Sequence, residues 1–142
     1  MAIEQGQTTV FKTNLLKGTE NFNTGSSYVY KIALYNSTAT LNADTLVYTT
    51  SGEITGTGYT AGGKVLVPTI PTSDNGVAYV SFANVTWIPA SFIARGALIY
   101  NSTTNAAVAV LDFGADKTAS PVIGFTVTFP AATSSSAIIR FS

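Results

Sequence analysis

The sequence contains no histidine and no cysteine, and only seven basic and seven acidic residues among 142. Without an imidazole there is no base of the usual kind for a nucleophilic serine. Without a thiolate there is neither a cysteine nucleophile nor a zinc site of the usual tetrahedral types. We therefore predict no catalytic residue, no cofactor-binding residue, no metal-ligating residue and no enzymatic activity. The absence of disulfides leaves stability to packing and to partner subunits.

Charge is also scarce, at 10% of the residues, against about 25% in ordinary globular domains. Lysine and arginine form no cluster, so we expect binding to neither nucleic acid nor an anionic membrane surface. Residues 1–10 have no signal-peptide pattern, and no apolar run approaches the roughly 20 residues of a membrane span. A neutral surface with few charges favours self-association. We expect a soluble protein, made in the cytoplasm, that forms a homo-oligomer or joins a larger assembly.

From Gly25 onward, apolar and polar residues alternate with a period of two, which is typical of β-strands. Turn compositions rich in Asn, Ser, Thr, Gly and Pro separate the strands about every ten residues. The predicted strands are residues 28–35, 46–50, 63–67, 77–82, 92–100, 106–113, 122–129 and 137–141. The pattern predicts an all-β domain over residues 24–142, an antiparallel two-sheet sandwich of jelly-roll or immunoglobulin-like type. The connectivity of the strands stays open.

Residues 1–23 lie outside this pattern. Thr8 or Thr9 can cap a helix that runs to about Lys17 and ends at Gly18, although an extended arm fits as well. This helix would carry apolar side chains with no evident place in a two-sheet core. We therefore predict that residues 1–23 form an N-terminal arm or docking helix, with a candidate docking surface formed by Val10, Phe11, Leu15 and Leu16.

Asp112 and Arg95 each lie in an apolar run, where an unpaired charge would be costly to desolvate. They would meet if their strands form a hairpin through residues 101–105, so we predict a structural ion pair between them. The alternative use of Asp112, together with Asp116 and Glu53, is as one of the two carboxylates of a glycan hydrolase. We rank the structural pair first, because perturbed charges in apolar surroundings are often structural.

Three further patterns have simpler interpretations. The glycine-rich residues 55–63 lack the spacing of a phosphate-binding loop and are predicted to form a turn. Trp87, Tyr59 and Tyr79 could line a sugar-binding groove, but aromatic residues are more often sandwich core. Residues 33–38 and 98–103 both place a tyrosine ahead of Asn-Ser-Thr. Shared turn chemistry explains this echo better than a repeat with equivalent positions in the two sheets.

Four segments together resemble a family of small tailed-bacteriophage proteins, mostly known as virion structural proteins of unassigned role. The segments are Lys31-Ile32-Ala33-Leu34-Tyr35, Thr57-Gly58-Tyr59-Thr60-Ala61-Gly62-Gly63, Ala94-Arg95-Gly96-Ala97-Leu98-Ile99-Tyr100-Asn101-Ser102 and Val108-Ala109-Val110-Leu111-Asp112-Phe113-Gly114. The resemblance runs from about the first strand to residues 137–140. It implies a virion component present in many copies, and it transfers no catalytic or ligand-binding residue.

The leading functional hypothesis is a capsid decoration or cement protein that clamps neighbouring capsid subunits. Its expected location is the virion, and its expected partners are further copies of itself and the major capsid protein or other virion subunits. The alternative is a tail or tail-fibre component with possible glycan-binding loops. A carboxylate-based glycan hydrolase is the distant alternative.

Overall fold

The computed structural model describes residues 2–142, which form one short helix and ten strands. Antiparallel pairing joins the strands into three sheets. The bounds are β1 (Gly6–Gln7), α1 (Thr9–Lys17), β2 (Tyr30–Tyr35), β3 (Lys64–Val65), β4 (Thr72–Asp74), β5 (Val77–Val80), β6 (Val85–Trp87), β7 (Ile93–Asn101), β8 (Ala106–Thr118), β9 (Phe125–Val127) and β10 (Ile139–Phe141).

The largest sheet has five strands in the order β1-β8-β7-β2-β3. Two smaller sheets, β10-β5-β4 and β6-β9, supply the facing layer. One core cluster joins the layers: Ile32 and Leu34 of β2 belong to the same buried cluster as Trp87 of β6 and Ile139 of β10. The predicted all-β sandwich with a short N-terminal helix is confirmed.

The hairpin of β7 and β8 is the centre of the large sheet. Its turn, predicted at residues 101–105, is closed by Asn101, whose Oδ1 accepts hydrogen bonds from the backbone N–H groups of Thr103 (3.0 Å) and Thr104 (3.3 Å). After β2, Asn36 Oδ1 accepts one from the N–H of Thr38 at 2.9 Å. Because β2 and β7 pair with each other in one sheet, the echo reflects shared turn chemistry and not equivalent places in two sheets.

Other parts of the chain cover both faces of the large sheet. For this reason β2 and β7 consist of nearly continuous apolar residues. On the face away from the small sheets, Leu41 and Tyr48 pack in or against a second cluster with Tyr35 and Tyr100. The predicted strand at residues 46–50 is wrong. This segment is a covering loop that forms only an isolated bridge between Val47 and Ala106.

The glycine-rich segment is a turn, as predicted, and it packs tightly against the large sheet. Gly63 has φ +79°, and a Cβ at this position would collide with the carbonyl group of Ile32. Glycine is therefore required here for close backbone approach and for a left-handed conformation. No phosphate-binding geometry is involved, because β3, and not a helix, follows the turn.

The predicted helix is present, capped by Thr8, whose Oγ1 accepts a hydrogen bond from the N–H of Phe11, and by Gly18 in the left-handed conformation. The prediction that this helix lies outside the sandwich is wrong. Phe11 is fully buried in the sandwich core, Val10 and Leu15 pack against the two clusters, and β1 pairs with β8. Of the four proposed docking residues, Leu16 alone is well exposed, at 91%.

Residues 1–23 are therefore not a detached arm; as far as they are described, they belong to the sandwich. The physical reason is that β1 and α1 cover the outer strand β8, which would otherwise be an open sheet edge. Residues 2–142 contain no helix that is long and apolar enough to cross a membrane.

Candidate functional site

The structure brings Arg95 and Asp112 together at an irregularity in the β7–β8 pairing. Gly96 pairs with Asp112 and Ala94 pairs with Lys117, so residues 113–116 of β8 all stand opposite Arg95. Such bulges re-aim side chains and are common next to binding sites. Here the bulge directs Arg95 toward Asp112, with Nε 3.8 Å from Oδ1.

The pair is less buried than the apolar sequence around it indicates. The two side chains are 37% and 33% exposed, because burial along β8 decreases after Leu111. Asp112 Oδ1 also accepts a hydrogen bond from the N–H of Gly114 at 2.8 Å, which fixes the start of the bulge. Arg95 Nε is buried but donates no hydrogen bond within residues 2–142. The pair thus anchors the bulge from a half-exposed position.

A cleft of about 460 Å³ lies beside this bulge, between β8 and β9. Its volume falls within the range of small-molecule pockets. The inner lining is apolar and includes Leu111, Phe113, Phe129 and Ile138, with Phe113 and Phe125 in ring contact at 5.9 Å between centroids. The polar side chains of its lining are Gln5, Asp112, Lys117, Thr126 and Thr128.

One wall of this cleft is an unpaired strand edge. β9 pairs only with β6, with Val127 opposite Val85 and Phe125 opposite Trp87. The N–H of Phe129 also points toward β6, where it donates to Asn84 Oδ1 at 2.9 Å. Since backbone groups alternate in direction along an antiparallel strand, Thr126 and Thr128 direct theirs toward the cleft.

The opposite wall, formed by β8, already has a hydrogen-bond partner at Asp112. Beyond the end of β1, the N–H of Asp112 donates to Gln5 Oε1 at 3.1 Å. The side chain of Gln5 thereby extends the cover of β8 past Gly6. On the β9 wall, by contrast, the backbone groups of Thr126 and Thr128 that face the cleft have no partner within residues 2–142.

Glu53, considered as a catalytic acid from the sequence, lies in a hydrogen-bond network instead. Its carboxylate accepts from the hydroxyl groups of Tyr48 and Tyr59 and from the N–H of Gly62. The Tyr100 hydroxyl donates to the carbonyl of Gly62 at 2.7 Å. Burial raises the pKa of Tyr100 to about 12 and those of Tyr48 and Tyr59 further, with the hydrogen bonds to Glu53 adding to both. The three tyrosine hydroxyl groups therefore stay protonated, and the hydrogen bonds of this network hold the glycine-rich turn against the sheet.

Two of the acids considered from the sequence, Glu53 and Asp112, lie far apart across the large sheet. Glu53 pairs with Tyr35, Tyr35 with Gly96, and Gly96 with Asp112, so Glu53 and Asp112 stand three strand spacings apart. At about 4.8 Å per spacing their backbones are roughly 14 Å apart. Asp116 is exposed on the bulge. No group of three or more potential metal-ligating side chains occurs among the described residues.

Sequence reasoning gives Glu20 no role, but its carboxylate is buried, with 6% of the residue exposed. Its Oε1 accepts hydrogen bonds from the Tyr30 hydroxyl at 3.0 Å and from Asn101 Nδ2 at 2.8 Å, while its Oε2 has no partner in the described chain. Burial raises the pKa of Glu20, and these hydrogen bonds offset part of the effect. The arrangement ties the segment after α1 to the β7–β8 turn.

The sugar-binding groove considered for Trp87, Tyr59 and Tyr79 does not form. Trp87 is 1% exposed and packs against Phe125, with ring centroids 6.2 Å apart. Tyr59 is half-buried and its hydroxyl is used by Glu53. A buried indole cannot stack on a sugar ring, so the core interpretation is correct for Trp87, and Tyr59 packs against the same cluster. Tyr79 is half-buried on β5, outside both core clusters.

An exposed apolar end is the other notable surface. Val122 and Ile123, at the tip of the turn between β8 and β9, are 84% and 78% exposed. Ile93, opposite Thr118 on β8, and Ile88, which adjoins Gly124, are 52% and 57% exposed. We call these four residues the apolar tip. Its turn is closed by mutual backbone hydrogen bonds between Ser120 and Gly124.

Comparison with known proteins adds no assignment. No protein-family model matches the chain, and no curated protein or solved structure matches it at a significant level.

Proposed function

We propose that this protein is a structural component of a tailed-bacteriophage virion, a capsid decoration protein that binds across neighbouring capsid subunits. The observation that carries the proposal is the apolar tip, since large apolar side chains exposed together on a small protein are typical of interaction surfaces. The hydrogen-bonded turn beneath the tip holds Val122 and Ile123 in place, so little conformational entropy would be lost on binding.

Composition supports the same role. Seven basic and seven acidic residues balance to zero net charge, so copies placed side by side on a lattice would repel one another little. Binding to a capsid lattice would also stabilise the folded chain by mass action, because a partner that binds only the folded state shifts the folding equilibrium toward it. The tight sandwich needs no disulfide to serve as such a clamp.

The test is the composition of the particle. Quantitative mass spectrometry of purified virions should find this chain at a copy number close to that of the major capsid protein. A few copies per particle would instead favour a tail or tail-fibre component. Absence from the virion would overturn the proposal. Adding the purified protein to heads that lack it should raise their resistance to heat or to low ionic strength.

A further inference from the structure

We propose that the cleft between β8 and β9 binds an extended, acidic peptide segment of another protein, which adds to the open edge of β9 as a further strand. This proposal does not depend on the protein being a virion component. The cleft is also separate from the apolar tip.

The first argument is the backbone of β9. The N–H and C=O groups of Thr126 and the N–H of Thr128 face the cleft and form no hydrogen bond within residues 2–142. Extended peptides bind such edges through main-chain hydrogen bonds, and neighbouring pockets take alternate side chains. The lining from Phe125 to Pro130 is six residues long, or roughly 20 Å at about 3.3 Å per residue. That length suits a short strand.

The second argument is the floor. Leu111, Phe113, Phe129 and Ile138 line the interior of the cleft. An added strand places every second side chain on one face, so alternate apolar residues of the peptide would enter this floor while the others face solvent. A glycan would instead need several side-chain polar groups along the floor, and those of this cleft lie elsewhere in its lining.

The third argument is charge. Asp112 is paired with Arg95, the only ion pair found between described residues. Lys117, also in the lining and exposed, has no carboxylate within 4.0 Å in the described chain. Among the charged residues that line the cleft, Lys117 is therefore the one without an ion-pair partner in the described chain, and its complement is a carboxylate on the bound segment.

The experiment uses the full chain, labelled with ¹⁵N, and a capped peptide of alternating threonine and valine that ends in glutamate. We expect saturable shifts of the Thr126 and Thr128 amide signals and slower hydrogen exchange at both. The same peptide ending in lysine should bind about two- to fivefold more weakly, the range for an exposed ion pair. The same peptide methylated on alternate backbone nitrogens should lose binding, because it cannot complete the strand pairing.

Variants separate the contribution of the Lys117 charge from that of the main-chain hydrogen bonds to β9. Lys117→Gln should remove the preference for glutamate over lysine, whereas Lys12→Gln, an exposed lysine on α1 outside the cleft, should leave it intact. Thr126→Pro should weaken binding of every peptide, since proline is tolerated at strand edges where its missing N–H faces outward. If Thr126→Pro does not fold, the methylated peptide still tests the strand pairing.

Four results would overturn the proposal. One is the absence of shifts with any of these peptides at millimolar concentration. Another is equal binding of the methylated peptide, which would reduce the site to an apolar pocket. The third is a response to an oligogalacturonate but not to peptides, which would assign the cleft to an acidic glycan. Protection of both amides that rises with protein concentration alone would assign the edge to a second copy and exclude the separate partner.

Discussion

Glu20 accepts a hydrogen bond from Asn101 at 2.8 Å across 81 residues of sequence. The contact joins the segment after α1 to the turn of the central hairpin, so that the N-terminal region and the large sheet share one buried polar network. A carboxylate with one unpartnered oxygen in such a place is costly when charged. Its protonation should therefore affect the stability of the fold.

The first prediction is that stability falls as the pH rises, because of Glu20. Burial raises the pKa of this carboxyl above its ordinary value of 4.5. The folded chain then binds more protons than the unfolded chain between 4.5 and the higher folded pKa. The free energy of unfolding consequently decreases through that window as the pH rises.

Urea unfolding of the wild type and of Glu20→Gln, from pH 4 to pH 8, measures this effect. The variant should lack the decrease, whereas Glu4→Gln, which changes an exposed carboxyl, should retain it. Parallel curves for all three proteins would show that Glu20 does not titrate differently in the folded chain.

The second prediction concerns the ion pair at the bulge. Both side chains of Arg95 and Asp112 are about one-third exposed, so their coupling should be under about 1 kcal/mol and should weaken with added salt. A double-mutant cycle of Arg95→Gln and Asp112→Asn measures it, because asparagine keeps an acceptor for the N–H of Gly114. A coupling of about 3 kcal/mol or more would indicate a buried pair after all.

The sequence was most informative where local composition decides the structure. The apolar runs of β2, β7 and β8 and the Asn-Ser-Thr turns after β2 and β7 predicted these elements closely. The strand β4 was missed because its residues, Thr-Ser-Asp, carry no apolar signal and pair only through β5. Residues 46–50 have strand composition, but they form only an isolated bridge: Tyr48 packs against the sheet, whereas Leu46 and Val47 are exposed.

The candidate site, too, could be predicted only in part. The meeting of Arg95 and Asp112 could be predicted, because charges in apolar runs need partners. Their exposure could not, since it depends on a bulge in which four residues of β8 stand opposite one residue of β7. The cleft could not be predicted either, because whether Thr126 lies on an inner or an outer strand is decided by the packing of the whole sandwich.

The third prediction tests how the N-terminal helix belongs to the sandwich. Phe11 is fully buried and contacts Phe22, with ring centroids 5.8 Å apart, whereas Leu16 on the same helix is 91% exposed. Phe11→Ala should lower the free energy of unfolding by about 3–5 kcal/mol, and Leu16→Ala should change it by no more than about 0.5 kcal/mol.

Chemical denaturation of the two variants provides the measurement. Deletion of residues 2–17 should likewise impair folding, because Thr8 is buried and donates to the carbonyl of Ala107 at 3.1 Å. A truncated chain with a melting transition like that of the full chain would restore the view of a dispensable arm.

The fourth prediction concerns the apolar tip. Val122→Ser together with Ile123→Ser should leave the melting temperature nearly unchanged, because both side chains are mostly solvent-exposed and support no core contact. The same change should reduce binding to capsid heads or self-association at high concentration, because the apolar area removed would be buried only in the assembled state.

Leu16→Ser is the matched control, since it removes an equally exposed apolar side chain from α1. Analytical ultracentrifugation and co-sedimentation with heads would compare the three proteins. Equal loss in the control would mean that general surface hydrophobicity drives association, and unchanged binding in the double variant would remove the tip from the interface.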